Sequence, residues 1–159
     1  MMVGGDLWMK LVIGEDVLRG PLTRGMAKSG RRRQDFEISY PVFVVTGRDD
    51  AEMAASRVAV CKQIAFYGST PAYRPVLESI GAGELQDELN RLSKAGRWDD
   101  MGTLISDDLL AAFAVIGEPA AIAKGIKARC EGLVDRVSAA YAHFSVEDQK
   151  RIVAELTAT

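Results

Sequence analysis

The sequence predicts one α/β domain organised on a parallel sheet, and three observations indicate this class. Residues 36–46 (FEISYPVFVVT) are rich in β-branched and aromatic side chains, and the second half of this run is apolar on both faces, as in buried parallel strands. Residues 113–116 form a second apolar run, which precedes a helical pattern and a third apolar run at 133–137. A strand, a helix and a strand in this order form an α/β unit that needs a parallel sheet beside it.

Length and composition agree with a soluble globular domain. The chain has 159 residues, of which 48% are hydrophobic and 26% charged, so it can bury a core. A net charge of −2 disfavours nucleic acid and anionic membranes as partners, since neither attracts a mildly acidic protein. Cys61 and Cys130 are too few for a disulfide framework, and no apolar run approaches the ~20 residues of a membrane span. We expect a cytoplasmic protein.

The first half of the chain has the pattern of a helix, a strand and a second helix. The first helix is expected over residues 17–29. The strand follows at residues 36–46, where Pro41 lacks a ladder donor and so predicts a bulge or an edge position. The second helix is expected to begin after Asp49, with Glu52 completing a capping box.

A broken helical stretch then spans about residues 67–110. Short patterns with leucines in phase indicate several separate helices, and Asp99 and Ser106 are placed to cap two of them. Connections of this length are uncommon between two α/β units unless they shape a site. The stretch is therefore predicted to be an insertion that forms the wall of a pocket.

The last part of the chain carries the strand–helix–strand unit and a terminal helix. Pro119 suits the first position of the middle helix, because its missing N–H costs nothing there, and Gly132 suits a left-handed stop. Ile122 and Ile126 recur at helical spacing and mark the packed face of that helix. Residues 145–156 are predicted to form the terminal helix, opened by a capping box of serine and aspartate.

Few residues offer catalytic or metal-binding chemistry. His143 is the only histidine, so catalytic triads and histidine-based metal sites have little to build on, and a surface or packing role is preferred. The two cysteines lack the paired spacing of a zinc site. Pairs of neighbouring aspartates at 49–50, 99–100 and 107–108 fall at predicted helix starts, where carboxylates cap N–H groups. We interpret all three pairs as caps and predict no metal site.

The most suggestive polar cluster is the segment YGSTPAYR at residues 67–74. Its functional groups are two phenols, two hydroxyls and a guanidinium at a helix break, and they belong to Tyr67, Ser69, Thr70, Tyr73 and Arg74. Such a group suits the wall or lid of a small-molecule pocket. The alternative is a capped helix–helix turn in which Tyr73 packs inward.

Four stretches carry a family resemblance: FEISYPVFVVTGRDDAEM, QIAFYGSTPAYRPVLESIG, ELNRLSKAGRWDDMGTLISDDLLAAFAVIGEP and EGLVDRVSAAY. They resemble the C-terminal part of luciferase-like monooxygenases, especially the branch of oxidoreductases that depends on the deazaflavin coenzyme F420. The resemblance runs over about residues 17–142, and IAFYGSTPAYRPVL is its most specific segment.

The resemblance implies both a fold and a chemistry. Family members adopt a (β/α)8 barrel of the TIM type, bind FMN or F420 at the carboxyl ends of the strands and transfer hydride, and some activate oxygen. The chain would be the C-terminal portion of such a barrel, with two to three parallel strands. Residues 36–46 would be the penultimate strand, 133–137 the last, and 67–74 part of the substrate pocket. Most cofactor contacts of the family lie on strands that precede this region, so the catalytic residues stay unassigned.

Two functional hypotheses follow for the domain, which we place at residues 17–159 because residues 1–16 match the family poorly. The first is a shortened F420- or flavin-dependent oxidoreductase that acts on a small-molecule substrate. The second is a non-catalytic α/β module that binds a ligand or another protein chain. A partial barrel leaves strand edges unpaired, so in either case we expect a homo-oligomer that pairs them.

Overall fold

The computed structural model describes residues 15–130, 132–139 and 144–158. Residues 1–14, which make up most of the poorly matched segment, and His143 lie outside the described residues. Within the described ranges, no helix has the length and apolarity needed to cross a membrane. The strands are β1 (Ser39–Val45), β2 (Ala114–Ile116) and β3 (Arg136–Ala139), and the helices are α1 (Glu15–Ser29), α2 (Asp50–Gly68), α3 (Arg74–Ser79), α4 (Leu85–Lys94), α5 (Trp98–Thr103), α6 (Asp107–Phe113), α7 (Ile122–Cys130) and α8 (Val146–Thr157).

The three strands form one parallel sheet in the order β2-β1-β3. The second half of β1 pairs with β2, where Phe43 lies opposite Ala114, and its first half pairs with β3, where Pro41 lies opposite Ser138. The register is unbroken at Pro41, so there is no bulge. Pairing with β2 begins only at Phe43, so Pro41 lies where β1 has a neighbour on one side. Strand β1 is the central strand of the sheet, so the predicted edge position is wrong, and Pro41 is tolerated because β1 has a neighbour only on its β3 side at this residue.

Helices cover both faces of the sheet and form two separate cores. Alternate residues of a strand point to opposite faces. Phe43 and Val45 accordingly pack in a first core with α2 and with α3–α6. Tyr40, Val42 and Val44 pack in a second core with α7 and α8. The sequence shows that β1 is apolar on both faces, and each face is buried in one of the two cores.

The boundaries of the strand–helix–strand unit differ from those predicted. Phe113 ends α6 and only the three residues after it form β2, so the predicted strand was one residue too long. Pro119 lies in a turn, and α7 begins three residues later at Ile122. Gly132 has φ +71°, which confirms the left-handed stop. Leu133 does not belong to β3, because its N–H is bonded at 3.0 Å to the carbonyl of Cys130 in the turn that closes α7.

Helix α7 packs tightly against the sheet through the residues that the periodicity identified. Ile122 and Ile126 are fully buried. Gly125 lies between them, and a Cβ there would come within 2.5 Å of the Cγ1 of Val115 in β2. Arg129 donates to the carbonyls of Ala111 and Ala112 at 2.7 and 3.0 Å, which ties α7 to the end of α6.

The helix starts are capped largely as predicted. The Asp49 carboxylate accepts from the Glu52 N–H at 2.8 Å, although the Glu52 carboxylate returns to the Arg48 N–H at 2.9 Å and not to Asp49. Ser106 caps α6 and Ser145 caps α8. The prediction for Asp99 is wrong, because α5 begins one residue earlier and the Asp99 carboxylate accepts from Lys62 Nζ at 2.5 Å.

The α/β class, the parallel strands and the long helical insertion are confirmed, and they are consistent with part of a luciferase-like barrel. The arrangement within the sheet has one further feature. In a complete barrel each strand pairs with the next along the chain and the helices form an outer ring. Here β2 and β3 are separated by β1, and helices lie on both faces. The chain by itself therefore encloses no barrel lumen between its described strands.

Candidate functional site

The predicted pocket segment forms the corner between α2 and α3. Tyr67 lies in the last turn of α2, Thr70 precedes a short 3-10 turn, and Arg74 opens α3. The rings of Tyr67 and Tyr73 meet edge to face with centroids 6.1 Å apart, and the ring of Phe43 lies 6.5 Å from Tyr67. The structure therefore brings the two phenol rings together, both of them half-buried against the first core.

The two hydroxyl residues of this segment differ in their surroundings. Ser69 is buried, and its Oγ donates to the Phe66 carbonyl at 2.7 Å. The Ser69 carbonyl accepts from Gln86 Nε2 at 3.2 Å and from Asn90 Nδ2 at 2.8 Å, both on α4. Thr70 is exposed, and its carbonyl accepts from the Tyr73 N–H. Ser69 thus fixes α4 to the corner, and Thr70 is the hydroxyl that faces solvent.

Arg74 is held by two carboxylates. Its Nε donates to Glu78 at 3.0 Å, and its Nη1 donates to both oxygens of Asp87 at 2.9 and 3.0 Å. The hydrogen bond to Glu78, followed by that to Asp87, raises the pKa of the guanidinium. Its charge is therefore matched within the chain, and Arg74 joins α3 to α4.

The corner lies away from the carboxyl ends of the strands. A Cβ at Gly47, just after β1, would come within 2.2 Å of the Met53 nitrogen in the first turn of α2. The last turn of α2 lies beside Phe43, further back along the same strand. Helix α2 therefore runs antiparallel to β1, and it places residues 67–74 towards the amino-terminal side of the sheet.

The carboxyl edge of the sheet holds a polar atom that sequence reasoning missed. Thr46 follows β1 and is 3% exposed. Its Oγ1 has no hydrogen-bond partner, and among the described residues it is the one buried side-chain nitrogen or oxygen without one. Its N–H donates to Ser56 Oγ at 3.1 Å. Beside it, the Gly117 N–H donates to the Val45 carbonyl at 3.1 Å. A hydroxyl residue between a buried strand and a glycine was the available signal for this position.

Other reactive groups are committed to the fold. Cys61 and Cys130 are free thiols, buried in the first and second core respectively, and burial raises the pKa of each. They are separated by the sheet, and burial disfavours the reactive thiolate form of each. In the part of the chain that the structure describes, no group of three histidine, cysteine, aspartate or glutamate side chains could hold a metal ion.

The aspartate pairs serve helix starts and ion pairs. Asp49 is a true cap, whereas Asp99 and Asp107 lie in the first turns of α5 and α6. Lys62 donates to Asp99 and so lowers the pKa of that carboxyl, and Arg57 pairs with Asp107. These contacts join α2 to the helical insertion.

Comparison with known proteins identifies the family. The model for luciferase-like monooxygenases matches residues 19–136, which is most of the chain. The chain belongs to the luciferase-like monooxygenase family. Uncharacterized proteins from Mycobacterium bovis and from two strains of Mycobacterium tuberculosis are each 60% identical to it over 116 residues. The match covers 73% of this chain and 34% of each relative, so the chain spans about a third of their length. No solved structure gives a significant match.

Members of this family commonly use a flavin or F420. The residues to compare with the needs of such a cofactor are those at the carboxyl edge of the sheet. Thr46 Oγ1 is one available polar atom there. The space beside Gly47 is filled by the backbone of α2. A tricyclic ring with a phosphate-bearing side chain needs several polar contacts and a cavity of about 300–1,000 Å³. The described residues of this chain do not fit such a cofactor by themselves.

Proposed function

We propose that this chain is the C-terminal α/β part of an F420- or FMN-dependent oxidoreductase that transfers hydride to or from a small molecule. The observation that carries the proposal is the family match over residues 19–136. In such an enzyme the cofactor supplies the redox step, and the protein binds and orients the reactants. Two free, buried cysteines suit a reducing cytoplasm as the place of action.

We assign this chain a supporting part in that reaction. Thr46 would offer its hydroxyl at the carboxyl edge, where barrels of this kind bind ligands. The corner at residues 67–74 would hold the helical insertion against the sheet, since Ser69 and Arg74 bond to α4 and Phe43 contacts Tyr67. The remaining cofactor contacts would come from residues outside the region that this chain shares with its longer relatives.

A second candidate function is a non-catalytic module that binds another protein chain. The observation that favours it is the closure of both faces of the sheet by helices, which gives the chain two complete cores without a barrel. A unit of this kind can fold and associate without a cofactor.

The test compares this chain with the full-length Mycobacterium tuberculosis relative in titrations with F420 and, separately, with FMN. We expect the relative to bind one of the two cofactors with micromolar affinity, seen as quenching of the cofactor's fluorescence. We also expect it to oxidise or reduce that cofactor in a hydride-transfer assay. We expect this chain to show no saturable binding at protein concentrations close to 1 mM, since Thr46 Oγ1 is the one buried side-chain nitrogen or oxygen without a partner among its described residues.

Failure of the relative to bind either cofactor would overturn the proposed redox function and favour the second candidate. Micromolar binding by this chain would support the redox function and overturn our conclusion that the described residues do not fit the cofactor.

A further inference from the structure

A run of positive charge without a balancing acid lies on α1 and the turn that follows it. Residues 17–34 contain six of the 20 lysines and arginines of the chain and none of its 22 acidic residues. The rest of the chain is therefore acidic, because the net charge of the whole is −2. A charge asymmetry of this kind is typical of a segment that contacts a charged partner.

The packing of α1 directs two of these cations outward. Leu22 packs against the second core and Met26 is half-buried, so both mark the inner face of the helix. Arg24 and Lys28 each lie two residues further on, which is a rotation of about 200° in an α-helix. Both are accordingly exposed, one turn apart, on the side of α1 that faces away from the sheet.

Arg31 adds a third exposed cation just beyond the helix. Gly30, with φ +68°, ends α1 in the left-handed conformation, and Arg31 follows it. The next two arginines along the chain are held in place, because they pair with carboxylates at 3.0 and 2.6 Å. We call the three remaining cations, Arg24, Lys28 and Arg31, the α1 strip.

The charges of the α1 strip are not matched within the chain. None of the three cations forms an ion pair with a carboxylate of the described residues. The two arginines of the strip differ in this from the described arginines between residues 32 and 151, each of which donates to a carboxylate or to a backbone carbonyl. A guanidinium presents a planar fork of donors that fits an anionic oxygen pair. Two unmatched forks beside an ammonium therefore offer a site to a negatively charged partner.

The surface between the cations is low, so a partner can come close to the helix backbone. A Cβ added at Gly25 or at Gly30 would meet no atom within 4 Å. The neighbouring exposed side chains are small and belong to Thr23, Ala27 and Ser29. A facing protein backbone therefore has room along α1, and the longer basic side chains can reach its acidic groups.

We propose that the α1 strip binds an acidic segment of another protein, in which carboxylates recur about one helical turn apart. Each arginine can then bind a carboxylate through two parallel hydrogen bonds. Proteins that bind duplex nucleic acid firmly neutralise more phosphates, commonly about 6–10, and the acidic remainder of this chain would be repelled by a polymer of phosphates. An anionic membrane is disfavoured as well, because no exposed residue between positions 22 and 31 is large and apolar. The inference does not depend on cofactor binding and is tested without cofactor.

The first experiment measures the fluorescence anisotropy of a labelled helical peptide, with glutamate at every fourth position, as the full chain is added. We expect a dissociation constant on the order of 0.1 mM at low salt, because a few exposed ion pairs carry the contact. Binding should weaken at least about fivefold at about 0.15 M salt, which screens exposed charges. The same peptide with glutamine in place of glutamate should not bind.

Variants of the chain test which cations are responsible. The double change Arg24→Gln and Arg31→Gln should raise the dissociation constant at least about fivefold, because both guanidinium forks are lost. The matched control is Lys94→Gln with Lys124→Gln, which removes the same charge from two exposed side chains of α4 and α7. This control should change the dissociation constant less than about twofold, because exposed charges far from the contact are screened.

A cross-linking experiment locates the contact on the unchanged chain. A carbodiimide joins a carboxylate of the glutamate peptide to a lysine amine beside it, and mass spectrometry of the digested product identifies the lysine. We expect Lys28 to be the principal cross-linked residue, ahead of the exposed Lys94 and Lys124. Because no residue is substituted, this measurement decides the question even if the double variant does not fold.

Absence of saturable binding at protein concentrations of about 1 mM would overturn the proposal. So would an equal loss of affinity in the control variant, or cross-links that favour a lysine outside α1. A short DNA duplex, and vesicles of phosphatidylcholine with about one third phosphatidylserine, are titrated in parallel. Tighter binding of either than of the glutamate peptide would mean that the strip serves another class of partner and that the proposal is wrong.

Discussion

Substitution of Gly125 by alanine tests how closely α7 packs on the sheet. Gly125 lies in the interior of this nine-residue helix, where alanine normally stabilises by about 1 kcal/mol over glycine. Here the added Cβ would meet the Val115 Cγ1 at 2.5 Å. Val115 is 8% exposed and β-branched, so it has little freedom to turn away. We therefore expect the contact to reverse the usual effect.

The expected magnitude follows from two opposing contributions. Overpacking of a core in this way costs about 2–3 kcal/mol, and the better helix propensity returns about 1 kcal/mol. The net loss in the free energy of unfolding is therefore about 1–2 kcal/mol, which lowers Tm by about 3–6 °C in a chain of this size. Urea unfolding followed by circular dichroism measures the first quantity, and a thermal melt measures the second.

Two further variants make the result specific. Gly25→Ala in α1 adds a methyl group with no atom within 4 Å, so it should stabilise by about 0.5–1 kcal/mol. Val115→Ala should lose stability alone, but it should rescue Gly125→Ala by about 1–2 kcal/mol relative to the sum of the single changes. If Gly125→Ala unfolds at the same or a higher urea concentration than the unchanged chain, or if its effect adds to that of Val115→Ala, the reasoning is refuted.

Two more predictions concern polar groups near the ends of β1. Thr46→Val should raise the free energy of unfolding by about 1 kcal/mol, because it removes a buried hydroxyl without a partner and keeps the shape, and urea unfolding measures the gain. Asp135→Asn should lower it by about 1 kcal/mol at pH 7, since the carboxylate accepts from the Ile38 N–H at 2.7 Å but is 39% exposed. The Ile38 bond, followed by the Arg33 bond, lowers the pKa of Asp135, so the stability it contributes is present above pH ~4 and lost as pH falls through the folded-state pKa.

The controls separate these effects from general ones. Thr46→Ser keeps the hydroxyl and loses a methyl group, so it should lower the free energy of unfolding by about 1 kcal/mol. If Thr46→Val lowers this free energy instead of raising it, the Thr46 hydroxyl is hydrogen-bonded in solution and the prediction is wrong. For Asp135, urea midpoints are compared between pH 7 and pH 2.5. A difference from the unchanged chain that stays constant over this range would contradict the assignment. Glu37→Gln breaks an exposed ion pair with Arg136 and should change little.

Local structure followed from the sequence wherever neighbouring residues decide it. The caps at Asp49, Ser106 and Ser145 form because a side-chain oxygen reaches an N–H only three residues on. The stop at Gly132 needs only a residue that adopts positive φ. The family, too, was predicted from local segments and is confirmed by the match over residues 19–136. Boundaries were less accurate, as Pro119 and Leu133 show, because the turns around α7 are set by its packing.

The candidate site could be predicted only in part. The sequence pattern placed Tyr67 and Tyr73 in one cluster at a helix break, and their rings are in contact in the structure. It could not show that α2 runs back along β1 and so carries them away from the carboxyl edge. Nor could it show that Glu78 and Asp87 hold Arg74, because Asp87 comes from the next helix.

The sequence alone determined that this chain is an α/β protein with parallel strands, and it determined which residues begin and end most of the helices. These properties depend on side-chain type, periodicity and contacts within one turn. Tertiary structure decided that β1 lies between β2 and β3, that helices cover both faces, and that Thr46 Oγ1 is buried without a partner. It also left Phe66 and Trp98 exposed side by side. Such features depend on contacts between residues that are far apart in the chain. The local sequence pattern specifies each helix or strand, but it does not specify how these elements are arranged relative to one another.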